Sequence, residues 1–156
     1  MKIKSIPKLA ISLIIPQLAG FIGSNFTTDS ISSWYETLAK PEFTPPNYVF
    51  GPVWITLYFL IGVSLYLVWT SEKRKSGKLL VIFGVQMFLN AIWSIAFFGL
   101  QSPILGLAII IPLLGSIALM IGTFWRASRP ASYVLIPYIV WVSIATYLNY
   151  NIWVLN

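Results

Sequence analysis

Seven tryptophans, eight tyrosines and ten phenylalanines stand in a 156-residue chain with no histidine, no cysteine and only four acidic residues. The usual general base, the thiolate nucleophile and the commonest metal ligands are therefore missing, and no metal site is expected. What remains is aromatic stacking, apolar burial and hydrogen bonding by carboxamides, hydroxyls and indole N–H groups. Three sets of such residues recur at spacings of three to four, so each shares one helical face. The first is Gln86, Asn90, Trp93 or Ser94, and Phe97; the second is Trp54, Tyr58 and Ile61; the third is Tyr138, Trp141, Ala145 and Leu148.

The elements carrying these faces are too apolar for water. The chain is 58% hydrophobic and 9% charged, against roughly a quarter charged in soluble domains. About 20 apolar residues are needed to cross a bilayer, and five stretches reach or approach that length: 9–26, 49–70, 79–100, 104–125 and 133–155. None contains Asp, Glu, Lys or Arg. They lack the short alternating pattern of barrel strands, so the chain reads as one all-α domain, a five-transmembrane-helix bundle over 1–156, with the lipid bilayer as its first partner. The first stretch reads as a retained helix, since no small-x-small cleavage site follows it. No internal repeat supports an inverted-repeat transporter.

Charge placement gives an orientation and removes nucleic acid as a partner, despite the net charge of +6. Lys2, Lys4, Lys8, Lys73, Arg74, Lys75, Lys78, Arg126 and Arg129 fall in segments that five crossings put on one side; only Lys40 lies on the other. The positive-inside bias makes the amino terminus cytoplasmic and the carboxyl terminus external. Brevity and the lack of an appended targeting region favour a bacterial plasma membrane.

The connection 27–48 is long, and with Trp34, Tyr35, Leu38, Phe43 and three prolines it reads as an ordered lid. At 1.5 Å per residue, Trp54 lies roughly 5 Å, Trp93 about 10 Å, Asn90 about 15 Å and Trp141 roughly 20 Å below the outer helix ends. The three faces could thus line one cavity opening under the lid. Asn90 carries two readings of equal standing, a link between helices and a contact to ligand. Trp54 is shallow enough for an interfacial belt residue, and Pro16, Pro112 and Pro137 read as kinks.

The segments WYETLAKPEFTPPNYVFGPVWITLY from Trp34, QMFLNAIWSIAFF from Gln86 and PYIVWVSIATYLNYNIWVLN from Pro137 closely resemble the TspO/MBR family. The resemblance spans nearly the whole chain. It implies a five-helix bundle that binds protoporphyrin IX and related tetrapyrroles, in a pocket that also accepts benzodiazepine-site drugs. By motif position it implies a lining of Trp54, Asn90, Trp93, Trp141 and Ala145, with Tyr35 and Pro45 closing it from above; Tyr58 and Tyr138 join the expected ligand contacts from the helical faces they share. No cofactor is required. Lys40 is the only outer cation for a propionate, and without His or Cys the tetrapyrrole is expected metal-free or without side-chain ligation.

Three functions follow from that resemblance. The first is tetrapyrrole binding for sensing, sequestration or trafficking. The second is light- and oxygen-dependent porphyrin breakdown, with Trp54 and Trp141 as the catalytic residues. The third is transport of a tetrapyrrole or small lipophile, for which the spans offer no acidic proton relay. The carboxyl-terminal cholesterol pattern is absent, because no basic residue follows Tyr147 or Tyr150. A homodimer is compatible with the family, although Gly84, Phe88 and Ile92 make a poor small-residue stripe on the third span.

Overall fold

A computed structural model describes residues 5–72 and 77–156. Lys2, Lys4 and the Lys73-Arg74-Lys75 run, on which the orientation partly rests, lie outside the described residues. The elements among the described residues are all helices: α1 Ile6–Ile31, α2 Trp34–Thr37, α3 Asn47–Trp69, α4 Lys78–Ser94 continued by a π-helical turn Ile95–Gly99, α5 Pro103–Ala127, α6 Arg129–Val134 and α7 Ile136–Leu155. Among the described residues, five spans are long and apolar enough to cross a membrane, α6 and α7 together making the last.

Local chemistry sets several of these boundaries. Ser5 and Ser102 cap α1 and α5, each accepting from the N–H three residues on, with proline in the first turn. Helix α1 continues five residues past the expected start of the lid. Thr27 and Thr28 give their hydroxyl protons to the carbonyls of Gly23 and Ser24, at 3.1 and 2.9 Å, so a polar stretch that reads as loop is satisfied inside the helix. Pro16 and Pro112 lie within helices. Pro137 instead sits in the first turn of α7, after a break at Leu135, where its missing N–H leaves no gap.

The π turn at the end of α4 changes which residues face inward. Its wider winding inserts one residue into the helical count, and the consecutive Phe97 and Phe98 are both buried, with ring centroids 4.8 Å apart. Gln101, at φ 52° in the left-handed region, then turns the chain into α5.

Around the bundle the order is α1, α3, the α6–α7 span, α5, α4 and back to α1. Helix α3 packs chiefly on α1; against the last span it meets α6 more than α7, from which it splays toward the lid end. The inner face of α5 puts Ile110, Leu113, Ile117 and Met120, fully buried, in one core cluster with Tyr138, Val142 and Ile152. Helix α1 stands outermost. Its Ile11, Ile14, Ile15, Leu18, Phe21 and Ile22 remain exposed, as a lipid-facing surface must. Away from the lid, serine hydroxyls donate to the backbone of neighbouring helices: Ser64 to the Ala131 carbonyl at 2.8 Å, Ser132 to the Ile121 carbonyl at 2.8 Å.

Candidate ligand-binding site

Two asparagines organise the interior. The Tyr58 hydroxyl on α3 donates to Asn90 Oδ1 at 2.7 Å, Asn90 Nδ2 donates to the Tyr138 hydroxyl on α7 at 3.1 Å, and that hydroxyl donates to Gln86 Oε1 at 3.0 Å. Gln86 is fully buried and its Nε2 has no hydrogen-bond partner. This chain joins α3, α4 and α7 through polar groups that hydrocarbon would leave unsatisfied. The linking role of Asn90 is therefore real, and the same side chain also faces a cavity.

The second asparagine is Asn149, which sequence reasoning missed. Trp93 Nε1 donates to Asn149 Oδ1 at 3.2 Å, and Asn149 Nδ2 donates to the Pro103 carbonyl at 2.7 Å. One side chain thus connects α4, α7 and the start of α5. The signal was present: Asn149 is an amide in an apolar span, four residues after Ala145 on the stripe already identified.

A cavity of about 530 Å³ lies among α1, α3 and α4, beneath the lid end, within the range of small-molecule sites. Phe50, Trp54, Tyr58, Trp93 and Phe98 form its aromatic wall; Gln17, Gly20, Gly23, Ser24, Thr27 and Thr28 of α1 face them. Trp54 stacks on Tyr58 with centroids 5.5 Å apart and lies 6.0 Å from Trp93. Glycine at position 20 makes room for that stack, since a Cβ there would overlap the Tyr58 ring.

The cavity gathers Trp54, Tyr58, Asn90 and Trp93 of the expected set. Tyr138 is fully buried behind them, 6.4 Å from Trp54. Trp141 backs the wall through an edge contact to Phe50 at 5.8 Å and floors a second, apolar cavity of about 430 Å³ between α3 and α7. Its Nε1 is buried without a partner. Ala145 is buried on α7 but is not on the lining of either cavity. Helix α1, absent from the sequence-based site, supplies an entire wall.

The lid is held by packing and by one amide clamp. Tyr35, 2% exposed, meets Phe50, Phe97 and Phe98 with centroids 5.9–6.3 Å apart. Burial pushes its phenol up to about 12. Pro45 is half-buried in the lid, outside the cavity lining. Asn156, beyond α7, donates from Nδ2 to the Ala39 carbonyl at 3.1 Å and accepts from the Ala39 N–H at 3.0 Å. The lid and the carboxyl end of α7 therefore lie at the same end of the bundle.

A five-span helical bundle with an aromatic cavity under a tethered lid is a membrane protein built around a small-molecule-sized pocket. Residues 12–154 match the TspO/MBR family. The chain is 43% identical over 152 residues to the tryptophan-rich protein TspO of Archaeoglobus fulgidus, covering 97% of this chain and 99% of that one. It is 42% identical to the protein of the same description from Chlorobaculum tepidum, over 98% of each chain. Against the human translocator protein it is 34% identical, over 95% of this chain and 89% of that one. The chain belongs to the TspO/MBR family.

Proposed function

We propose that this protein binds a tetrapyrrole, with protoporphyrin IX as the reference ligand, in the cavity among α1, α3 and α4, and acts in porphyrin sensing, sequestration or trafficking. The supporting observation is the aromatic wall of Phe50, Trp54, Tyr58, Trp93 and Phe98 on a cavity of about 530 Å³. A flat π-system gains about 25 cal/mol per Å² of apolar area buried there, with stacking in addition. Tyr138 and Trp141 act behind that wall, against Trp54 and Phe50, with Ala145 buried on the same helix. Tyr35 and the Pro45 segment close the lid end, and benzodiazepine-site drugs occupy the same pocket. The test is a titration of the full chain in nanodiscs with protoporphyrin IX, read by tryptophan quenching. Saturation at one porphyrin per chain supports the reading, and quenching no greater than bilayer partition alone refutes it.

Light- and oxygen-dependent breakdown of the bound porphyrin is the second reading, supported by the proximity of Trp54 to Trp93 and Tyr58. Aerobic illumination of the complex tests it: bleaching unchanged by Trp54→Phe and Trp141→Phe removes tryptophan from the chemistry. For the membrane itself, we propose a bacterial plasma membrane with the lid outside and the amino terminus in the cytoplasm.

A further inference from the structure

The hydrogen-bond chain from Tyr58 to Gln86 has one end at the cavity and the other sealed in the bundle. Tyr58 and Asn90 are on the cavity lining, whereas Tyr138 and Gln86 are not. Tyr138 and Gln86 are fully buried and Asn90 is nearly so. The Tyr58 Cζ, which carries the hydroxyl, stands 3.1 Å from the point a Gly20 Cβ would occupy, and Gly20 lines the facing wall. Every bond in the chain points away from the cavity: Tyr58 donates to Asn90 at 2.7 Å, Asn90 to Tyr138 at 3.1 Å and Tyr138 to Gln86 at 3.0 Å.

A hydroxyl both donates and accepts, and a carboxamide exchanges its oxygen for its nitrogen by turning over in place. Turning Asn90 and Gln86 over reverses the chain without moving the backbone. Gln86 Nε2 then donates to Tyr138, Tyr138 to Asn90 Oδ1, and Asn90 Nδ2 to Tyr58, which again makes three bonds. At the sealed end the idle group changes from Gln86 Nε2, which has no partner in the inward direction, to the Gln86 carbonyl. Buried N–H groups are left idle more rarely than carbonyls. At the cavity end the Tyr58 proton is released. A ligand oxygen beside Tyr58 therefore adds a fourth bond to the reversed chain and meets only lone pairs on the other.

We propose, resting on the tetrapyrrole reading of this cavity, that an oxygen acceptor on the porphyrin rim reverses the chain, so that Tyr58 donates to the ligand. Gln86, off the lining, is then a positioning residue that sets the cost of the reversal. Without the Gln86 carboxamide, Asn90 becomes the acceptor for the Tyr138 proton, which holds the chain reversed. Trp54 and Tyr48 also bring an N–H and a hydroxyl to this lining, so the part played by Tyr58 is isolated by substitution at both ends of the chain.

The experiment uses the full chain in phosphatidylcholine nanodiscs, with empty nanodiscs correcting for partition. It compares protoporphyrin IX with etioporphyrin, whose rim carries only alkyl groups. Gln86→Met is expected to tighten protoporphyrin IX about threefold, to have no effect in a Tyr58→Phe background, and to leave etioporphyrin within about twofold. Infrared spectra of protein labelled with carbon-13 at the glutamine side-chain carbonyl give a second reading that needs no change at Gln86. Saturating protoporphyrin IX is expected to move the Gln86 band to the higher frequency of an unbonded carbonyl, and Tyr58→Phe to abolish that shift. Equal changes for both porphyrins in Gln86→Met, or an unmoved glutamine band in wild type saturated with protoporphyrin IX, overturn this proposal alone. Failure of both porphyrins to bind overturns it together with the tetrapyrrole reading.

Discussion

Gly20 on α1 and Tyr58 on α3 meet so closely that no side chain fits between them: a Cβ on residue 20 would overlap the Tyr58 ring. The Tyr58 hydroxyl then reaches Asn90, so a hydrogen atom in place of a methyl on the outermost helix fixes a hydrogen bond at the centre of the bundle. Gly20→Ala is expected to push the ring off Asn90 and destabilise the protein by about 1–3 kcal/mol. Thermal unfolding in detergent checks this, and an unchanged midpoint would show that α1 moves aside without cost.

Asn149 carries a second prediction. Replacing it with Leu leaves the Trp93 N–H and the Pro103 carbonyl without the partners they now have. Interhelical hydrogen bonds in membranes average about 0.6 kcal/mol, but stranding buried groups costs about 1–3 kcal/mol. Asn149→Leu is expected near the upper figure, with an altered Trp93 emission. An effect below 0.5 kcal/mol, or about twofold in the unfolding constant, would mean the indole finds another acceptor.

Much of this arrangement was legible beforehand, and the misses have physical causes. The spans and the Trp54, Asn90 and Trp93 faces follow from hydrophobic periodicity and from amides placed in apolar helices. Periodicity cannot see the π turn at Ile95–Gly99 that ends the third span. Nor does it reveal that α1, with Gln17, Ser24, Thr27 and Thr28 on one face, walls the cavity, because those residues read equally well as a helix end entering a loop. Asn149 was visible and passed over. The separation of Trp141 from the main lining depends on the splay of α3 from α7, which no local pattern encodes.

The lid has an alkaline limit. The Tyr35 phenol is shifted by burial from 10.0 to about 12. A raised pKa means the folded lid favours the neutral phenol, so this contribution is fully present below pH 10 and declines as pH rises toward 12. Tyr35→Phe, which keeps the ring contacts, is expected to remove that part of the alkaline destabilisation. Unfolding midpoints at pH 9 and 11.5 compare the two, and identical losses would place the sensitivity elsewhere.

Orientation is open to a direct check because the chain has no native cysteine. Phe43→Cys, at an exposed position in the lid, and Ser5→Cys, at the other end of α1, are expected to react with a membrane-impermeant maleimide from opposite sides of intact cells. Phe43→Cys should label from outside. Labelling of Ser5→Cys alone would invert the topology.

Whether the α1–α3–α4 cavity is where ligand binds is decided most directly by protoporphyrin IX affinity in wild type, Trp54→Ala, Asn90→Ala and Phe43→Ala. Loss of a stacking or polar contact worth about 1–3 kcal/mol weakens binding by roughly five- to a hundredfold. Trp54→Ala and Asn90→Ala are expected in that range, and Phe43→Ala, on the exposed lid surface, within twofold of wild type. Equal affinities in all four proteins would contradict the assignment of this cavity.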